Sequence, residues 1–407
     1  MSTLRSKAAL VALRGVNTAS RRLGRGQGTV AGGNVGLRLD PGLLGYLSQG
    51  RRSALVTGTN GKTTTTALLA AALGGGGADV ASNSTGSNMP AGHVAALASA
   101  RSAPLAALEV DEAYLAQVLD EVHPEVVVLL NLSRDQLDRM SEVRMLAQRW
   151  QDALFEYPET LVVANADDPL VAFAARRAAK VCWVAGGLAW SEDATGCPAC
   201  GGAISFEGLD WSCEGCSFAR PAPSWQLSED GARGPGGIVA LDVHLPGAFN
   251  RLNALMALAA ASALGIDVDA ATTGIAAVAS VAGRFETVGV AHHQARLMLA
   301  KNPAGFAALL DLAVEDRGPV VVAINARTAD GGDPSWLYDV DFSVLSGRPV
   351  IASGERALDL AVRLAYNGVA HEIEGDPAVA VGVAARHEGP VDVIANYTAF
   401  WDLRSRS

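Results

Sequence analysis

Between Ala54 and Thr65 an apolar, β-type run breaks into the turn TGTNGKTTT (57–65) and continues as the helix-like TTTTALLAAAL. A strand, a Gly-rich turn and a helix in that order make a phosphate cradle. The turn's backbone N–H groups, the positive end of the helix, Lys62 and the hydroxyl of Thr63 or Thr64 converge on nucleotide phosphates and Mg²⁺. The strict pattern has Gly five residues before the Gly-Lys-Thr. Here that position is Val56, and Gly58 lies inside the loop. Thr57, Gly58, Thr59, Asn60, Gly61, Lys62, Thr63 and Thr64 are the expected ATP contacts, with Thr63 beside Mg²⁺.

The same βα alternation continues downstream. PLAALEV precedes DEAYLAQVL, EVVVLLNL precedes SEVRMLAQRWQDALFEY, and TLVVANA precedes DPLVAFAARRAA. Strands separated by helices of this length predict a doubly wound, mostly parallel sheet. The apolar residues are largely Ala, Val and Leu and only 5% of the chain is aromatic, which suits buried parallel strands covered by small-residue helices. The rhythm stops near Gly186, resumes with IVALDVHLPG and leads into the helix-like NRLNALMALAAASALG. A second series after Gly283 contains VVVAINA, PVIASG, ERALDLAVRLAYNG and VDVIANY. The expected organisation is an ATP-binding domain over 1–282 with an insertion at about 190–223, then a smaller Rossmann-like α/β domain over 283–407, hinged at 281–284.

A net charge of −10 argues against a nucleic-acid groove dominating the surface, because such grooves cluster Lys and Arg. No segment approaches ~18 uninterrupted apolar residues, so no membrane-spanning helix is expected and the chain reads as cytoplasmic. The first 30 residues run against the acidic average, with Arg5, Lys7, Arg14, Arg21, Arg22 and Arg25 and no Asp or Glu. An ordinary solvated helix is the expectation there, and peripheral contact with an anionic membrane surface is the alternative.

Four of the five cysteines fall as Cys197-Pro-Ala-Cys200 and Cys213-Glu-Gly-Cys216. Two CxxC knuckles at that distance have the spacing of a structural Zn²⁺ site of the ribbon type, and four thiolates leave no open coordination position for catalysis. Cys182, in VCWVAG, reads as a buried strand residue.

These motifs together resemble the Mur ligase superfamily, whose members activate a carboxylate as an acyl phosphate with ATP and couple an amine to it. TGTNGKTTT resembles its phosphate loop, EVDE (109–112) its Mg²⁺-binding Glu (Glu109), and NADDP (165–169) a family loop. PGAFNRLNAL (246–255) is similar to the stretch whose first Asn, here Asn250, contacts the base, and GRFE (283–286) to the hinge motif that brings Arg284 near the phosphates. NLSRDQLDR (131–139), the four-Cys insertion, KNPAGF (301–306) and ADGGDPSWLYD (329–339) resemble the MurT-type branch, the synthetase subunits of lipid II isoglutaminyl synthase. Departures from that branch are Ser133 where Phe is usual, NART (325–328) in place of a more acidic lead-in, and ADGGD where Arg or Gln follows the first Gly. The resemblance implies a heterodimer with a glutaminase of the GatD type, amidation of a D-glutamate α-carboxylate in lipid II, and an acid supplied in trans to the partner's Cys-His pair. That acid matches Asp339, with Asp341 and Asp333 as rivals.

Chemistry alone makes related demands. A carboxylate needs a leaving group before ammonia attacks it, so phosphates, a metal and cations must meet. Lys62, Thr63, Glu109 and Arg284 are the candidates. The plainer alternatives are a helix-terminal acid for Glu109 with Asp111 and Glu112, a hinge salt bridge for Arg284 and a short-helix cap for Asp339. A glutaminase needs a reactive Cys with a His base. Four cysteines are committed to metal and Cys182 sits in an apolar strand, so the ammonia is expected from another polypeptide. His292 and His293 read as surface positions on a strand, and Trp336 as core or interface. The competing functions are an amino-acid ligase of the Mur or folylpolyglutamate synthase kind, which usually carries D-(Y/G)-AHNP where this chain has LAKNP (299–303), and a regulatory ATPase with a zinc ribbon.

Overall fold

The computed structural model describes residues 3–22, 29–83, 86–134, 140–187, 190–281, 283–290, 292–315 and 318–406. Arg25, Ala282 and the DQLDR half (135–139) of NLSRDQLDR lie outside the described residues.

Among the described residues, eleven strands precede residue 240: β1 (Arg52–Thr57), β2 (Val80–Ser82), β3 (Leu105–Glu109), β4 (Val126–Leu129), β5 (Leu161–Asn165), β6 (Lys180–Ala185), β7 (Ile204–Glu207), β8 (Asp210–Cys213), β9 (Trp225–Ser228), β10 (Gly231–Gly234) and β11 (Gly237–Val239). Nine form one sheet in the order β11-β10-β9-β6-β5-β4-β1-β3-β2, with β7 and β8 set apart as a hairpin. From β2 to β9 every pairing is parallel. Alternate residues of the central strands enter different cores. Leu55, Leu108, Val127 and Leu129 join one cluster, while Ala54, Val56, Ala107 and Val128 join the other. Both faces are therefore covered, as buried parallel sheets require.

The antiparallel end of this sheet departs from the expected pattern. Of IVALDVHLPG only Ile238 and Val239 are strand, as the end of β11, and β9 to β11 form an antiparallel meander. The turns around Glu229-Asp230 and Pro235-Gly236 reverse the chain too soon for a crossover helix, which parallel pairing needs.

The second sheet contains β12 (Phe285–Val290), β13 (His293–Leu299), β14 (Val320–Ala323), β15 (Val350–Ser353), β16 (Glu372–Ile373) and β17 (Val391–Ala395), ordered β12-β13-β17-β14-β15-β16. It opens with an antiparallel hairpin rather than a βα unit. His292 is accordingly not in a strand. It occupies the hairpin turn with φ 69°, and His293 starts β13; both are exposed.

Before β1 the described residues form the helices Thr3–Arg22, Thr29–Leu39 and Leu43–Ser48. Ala9, Leu10 and Leu13 of the first are buried in the nine-stranded sheet's core, while Leu4 and Val11 stay exposed among the basic residues. Among the described residues no helix is long and apolar enough to cross a membrane.

Candidate active site and four-cysteine cluster

β1 lies between β3 and β4, and the register pairs Val56 with Glu109 and Thr57 with Leu129. The chain leaves β1 at the point where successive crossovers turn to opposite sides, the usual ligand crevice of an open α/β sheet. Val56 is paired on both sides inside the strand, so no Gly is required there. The left-handed positions are Gly58 (φ 145°) and Gly61 (φ 86°). A Cβ at Gly58 would lie 2.8 Å from Leu130 Cβ, and one at Gly61 would lie 2.7 Å from Asn253 Oδ1, so close approach as well as φ demands glycine.

Gly61 caps the helix Lys62–Gly74, whose first-turn N–H groups open toward the crevice. Lys62 is 8% exposed, and its Nζ donates to Gly58 O at 2.6 Å and Glu112 Oε2 at 3.0 Å. Asn131, from the carboxyl end of β4, braces the loop. Its carbonyl accepts Thr59 N–H at 2.9 Å and its side-chain oxygen accepts Asn60 N–H at 2.8 Å.

Glu109 ends β3 with 1% exposure, and its Oε2 has no hydrogen-bond partner among the described residues. It is thus a strand-end carboxylate, while Asp111 caps the short helix Glu112–Tyr114. Asn83 clasps the Glu109 backbone, accepting its N–H at 2.7 Å and donating to its carbonyl at 2.8 Å. The fully buried His93 also meets that carbonyl, through Nε2 at 2.7 Å. Burial pushes the imidazole's pKa down to about 4 against this hydrogen bond, so the ring is neutral and Nε2 carries the proton.

Residues flanking strands of the second sheet also reach the phosphate loop. Arg284 Nη2 donates to Thr63 Oγ1 at 2.8 Å. Burial lowers the guanidinium's pKa, and the nearby Glu109 and Tyr397 oppose that shift. Two residues on, Glu286 pairs with Arg404 at 2.8 Å. Asn302, in KNPAGF, exchanges amide hydrogen bonds with Asn60 at 3.2 and 3.3 Å. Asn250 is one step behind the loop. It accepts from Asn253 at 3.2 Å, and Asn253 is the residue against Gly61. An orphaned buried carboxylate, a glycine cradle, Lys62 and Arg284 fit a metal-bound polyphosphate.

The four Sγ atoms of Cys197, Cys200, Cys213 and Cys216 all lie within 4.8 Å of one another, a set that could hold a metal ion. Cys197–Cys216 and Cys200–Cys213 are 3.9 and 3.5 Å apart, against about 3.8 Å for thiolates around tetrahedral Zn²⁺. Gly202 and Gly215 N–H groups donate to Cys200 and Cys213 sulfur. The insertion is moored to the sheet by Arg220, which pairs with the buried Asp167 of NADDP at 2.6 Å. Cys182 is a half-buried β6 residue, and burial raises its thiol to about 11.

Three acids in or beside ADGGDPSWLYD differ in their partners. Asp333 and Asp341 accept N–H groups two residues on, from Ser335 and Ser343. Asp339 instead faces Arg134 Nη2 at 3.4 Å. Trp336 is core, its ring 5.1 Å from that of Phe306.

Residues 56–193 match the Mur ligase middle domain and residues 299–400 the MurT ligase C-terminal domain. The MurT subunit of lipid II isoglutaminyl synthase (glutamine-hydrolyzing) from Streptococcus pneumoniae is 30% identical, across 90% of this chain and 88% of its own. The chain belongs to the MurT family. The Staphylococcus aureus (strain COL) MurT is 29% identical over 94% of this chain and 93% of its own. A pseudomurein peptide ligase type C from Methanothermus fervidus shares the fold, with a TM-score of 0.71 at 20% identity over 89% of this chain and 79% of that one. The MurT-family fold is thus a Mur ligase-like α/β architecture with mostly parallel sheets.

Several residues of this MurT-family site carry no motif of their own. Asn83 follows a three-residue strand, and His93 is a lone histidine in the apolar helix Pro90–Ser99. Glu112 reads in sequence as a helix-terminal acid, and only the fold shows it against Lys62.

Proposed function

We propose that this chain is the ATP-dependent synthetase subunit of a glutamine-dependent amidotransferase. In this reading it converts the D-glutamate α-carboxylate of the lipid II stem peptide to the amide, using ammonia from a partner glutaminase of the GatD type. The likeness to MurT subunits along nearly the whole chain carries the reading. The convergence of Lys62, Glu109, Thr63 and Arg284 supplies its chemistry.

In this mechanism Thr57 to Thr64 hold ATP, with loop and first-turn N–H groups on its phosphates and Asn250 toward the base. Glu109 and Thr63 hold Mg²⁺, which when bound offsets charge on the phosphates. Lys62 leaves its loop carbonyls to follow the transferred phosphoryl group, and Arg284 faces the oxygens on which charge builds. The substrate carboxylate attacks the γ-phosphorus and ADP leaves. Ammonia then attacks the acyl phosphate and inorganic phosphate leaves. Asp339 is the acid offered to the partner's Cys-His pair. Cys197, Cys200, Cys213 and Cys216 hold structural zinc in a ribbon insertion. The division into 1–282 and a Rossmann-like 283–407, and action at the cytoplasmic face of the membrane, belong to the same reading.

The test is co-purification with the glutaminase and mass spectrometry of defined lipid II. The acid-to-amide mass shift is expected with ATP and glutamine and is lost in Lys62→Ala, which still binds zinc. Near-normal turnover in that variant would remove the nucleotide assignment. An acidic substrate left unchanged by the complete complex would remove the amidation reading.

A further inference from the structure

The segment after β4 serves two sites. At its start, Asn131 and Ser133 grip the phosphate loop. Ser133 N–H donates to Thr59 Oγ1 at 3.1 Å, and Thr59 Oγ1 donates back to Ser133 O at 3.2 Å. The next residue, Arg134, turns away from the nucleotide crevice. Its side chain is only 12% exposed and lies between two carboxylates from different parts of the fold.

One carboxylate is Asp193, in the four-cysteine insertion. It accepts from Arg134 Nε, from Arg134 N–H at 2.9 Å and from Trp190 Nε1 at 2.8 Å. With its side chain 5% exposed, it is committed to these donors and fixes the guanidinium plane. The other carboxylate is Asp339, reached by Nη2 at 3.4 Å and still 32% exposed. Arginine suits this place because its planar fork meets two acceptors at once, which the point charge of lysine does not.

We propose that Arg134 is the positioning residue that aims Asp339 at the partner glutaminase and couples that acid to the state of the phosphate loop. The proposal rests on the reading that Asp339 completes the partner's Cys-His pair. A carboxylate held through one oxygen by a fixed cation keeps the other oxygen for an imidazole N–H, the orienting role such an acid performs. A shift of the phosphate loop moves 131–134 and therefore the Asp339 contact. Glutamine hydrolysis, in which water releases ammonia and leaves glutamate, thereby becomes responsive to nucleotide.

The test uses the purified complex with its glutaminase and compares Arg134→Gln, Arg134→Lys and Asp339→Asn. Amidation is measured with glutamine and with ammonium, and glutaminase kinetics with and without ATP. Arg134→Gln keeps a donor for Asp193. It is expected to lower glutamine-driven amidation by about 10- to 100-fold through kcat, with glutamine KM unchanged. Ammonium-driven amidation should stay within about threefold, Arg134→Lys should recover part of the loss, and stimulation of the glutaminase by ATP should shrink. Equal loss with both nitrogen donors, no loss with either, or a Lys variant no better than Gln overturns the proposal. If Asp339→Asn itself loses both activities equally, the trans-acid reading fails first. If Asp339→Asn loses only the glutamine-driven activity while the Arg134 variants behave as wild type, the positioning role alone fails.

Discussion

Gly61→Ala tests how the phosphate loop is held, and its cost can be assembled from the structure. At φ 86° and ψ −8° a Cβ costs about 1–2 kcal/mol in backbone strain. The same Cβ would sit 2.7 Å from Asn253 Oδ1, so the Asn253 side chain must move. Moving it breaks the 3.2 Å hydrogen bond to Asn250 within a region about 7% exposed, for roughly another 1 kcal/mol. The expected total is about 2–3 kcal/mol. Asn253→Ala alone loses the hydrogen bond and should cost about 1 kcal/mol. In the double variant the Cβ meets no side chain, so only strain and one lost bond remain. The double variant should therefore be less destabilised than the sum of the singles by about 1 kcal/mol. Denaturant unfolding followed by fluorescence of the buried Trp150 and Trp225 reports on this half of the chain. A Gly61→Ala cost below about 0.5 kcal/mol, or additivity within about 0.3 kcal/mol, would refute the close-approach argument.

Cys213→Ser should lower bound zinc from one equivalent and open 186–223 to protease, while nucleotide binding survives; a zinc-replete variant would contradict the four-thiolate assignment. Burial pushes the Cys182 thiol up to about 11, well above the ordinary cysteine range. At pH 8 its thiolate fraction is then about 100-fold below that of a free cysteine. Alkylation of zinc-loaded protein, followed peptide by peptide, should accelerate roughly tenfold per pH unit up to about pH 10, and a plateau near pH 9 would show an ordinary thiol.

The phosphate loop was legible in sequence because its parts are contiguous. Turn, cation and helix N-terminus follow one another within nine residues, and local hydrogen bonding decides their shape. The four cysteines were legible for a related reason, since each knuckle is a single turn. The parallel core followed from the βα rhythm, whereas β9 to β11 did not, because short polar turns do not reveal whether a strand joins an existing sheet edge or starts a new one. Reading Glu109 as a strand-end acid was sound, but its nearness to the loop depends on β3 pairing beside β1.

The pairings that assemble the site belong to the tertiary structure alone. Lys62 meets Glu112 across 50 residues, Thr63 meets Arg284 across 221, and Asn60 meets Asn302 across 242. Spacing along a chain encodes what one turn or one helix face can do. Sheet order and the docking of the second sheet determine which distant side chains share a crevice, and through Arg134 they also bring the phosphate loop and Asp339 into one connected set of contacts.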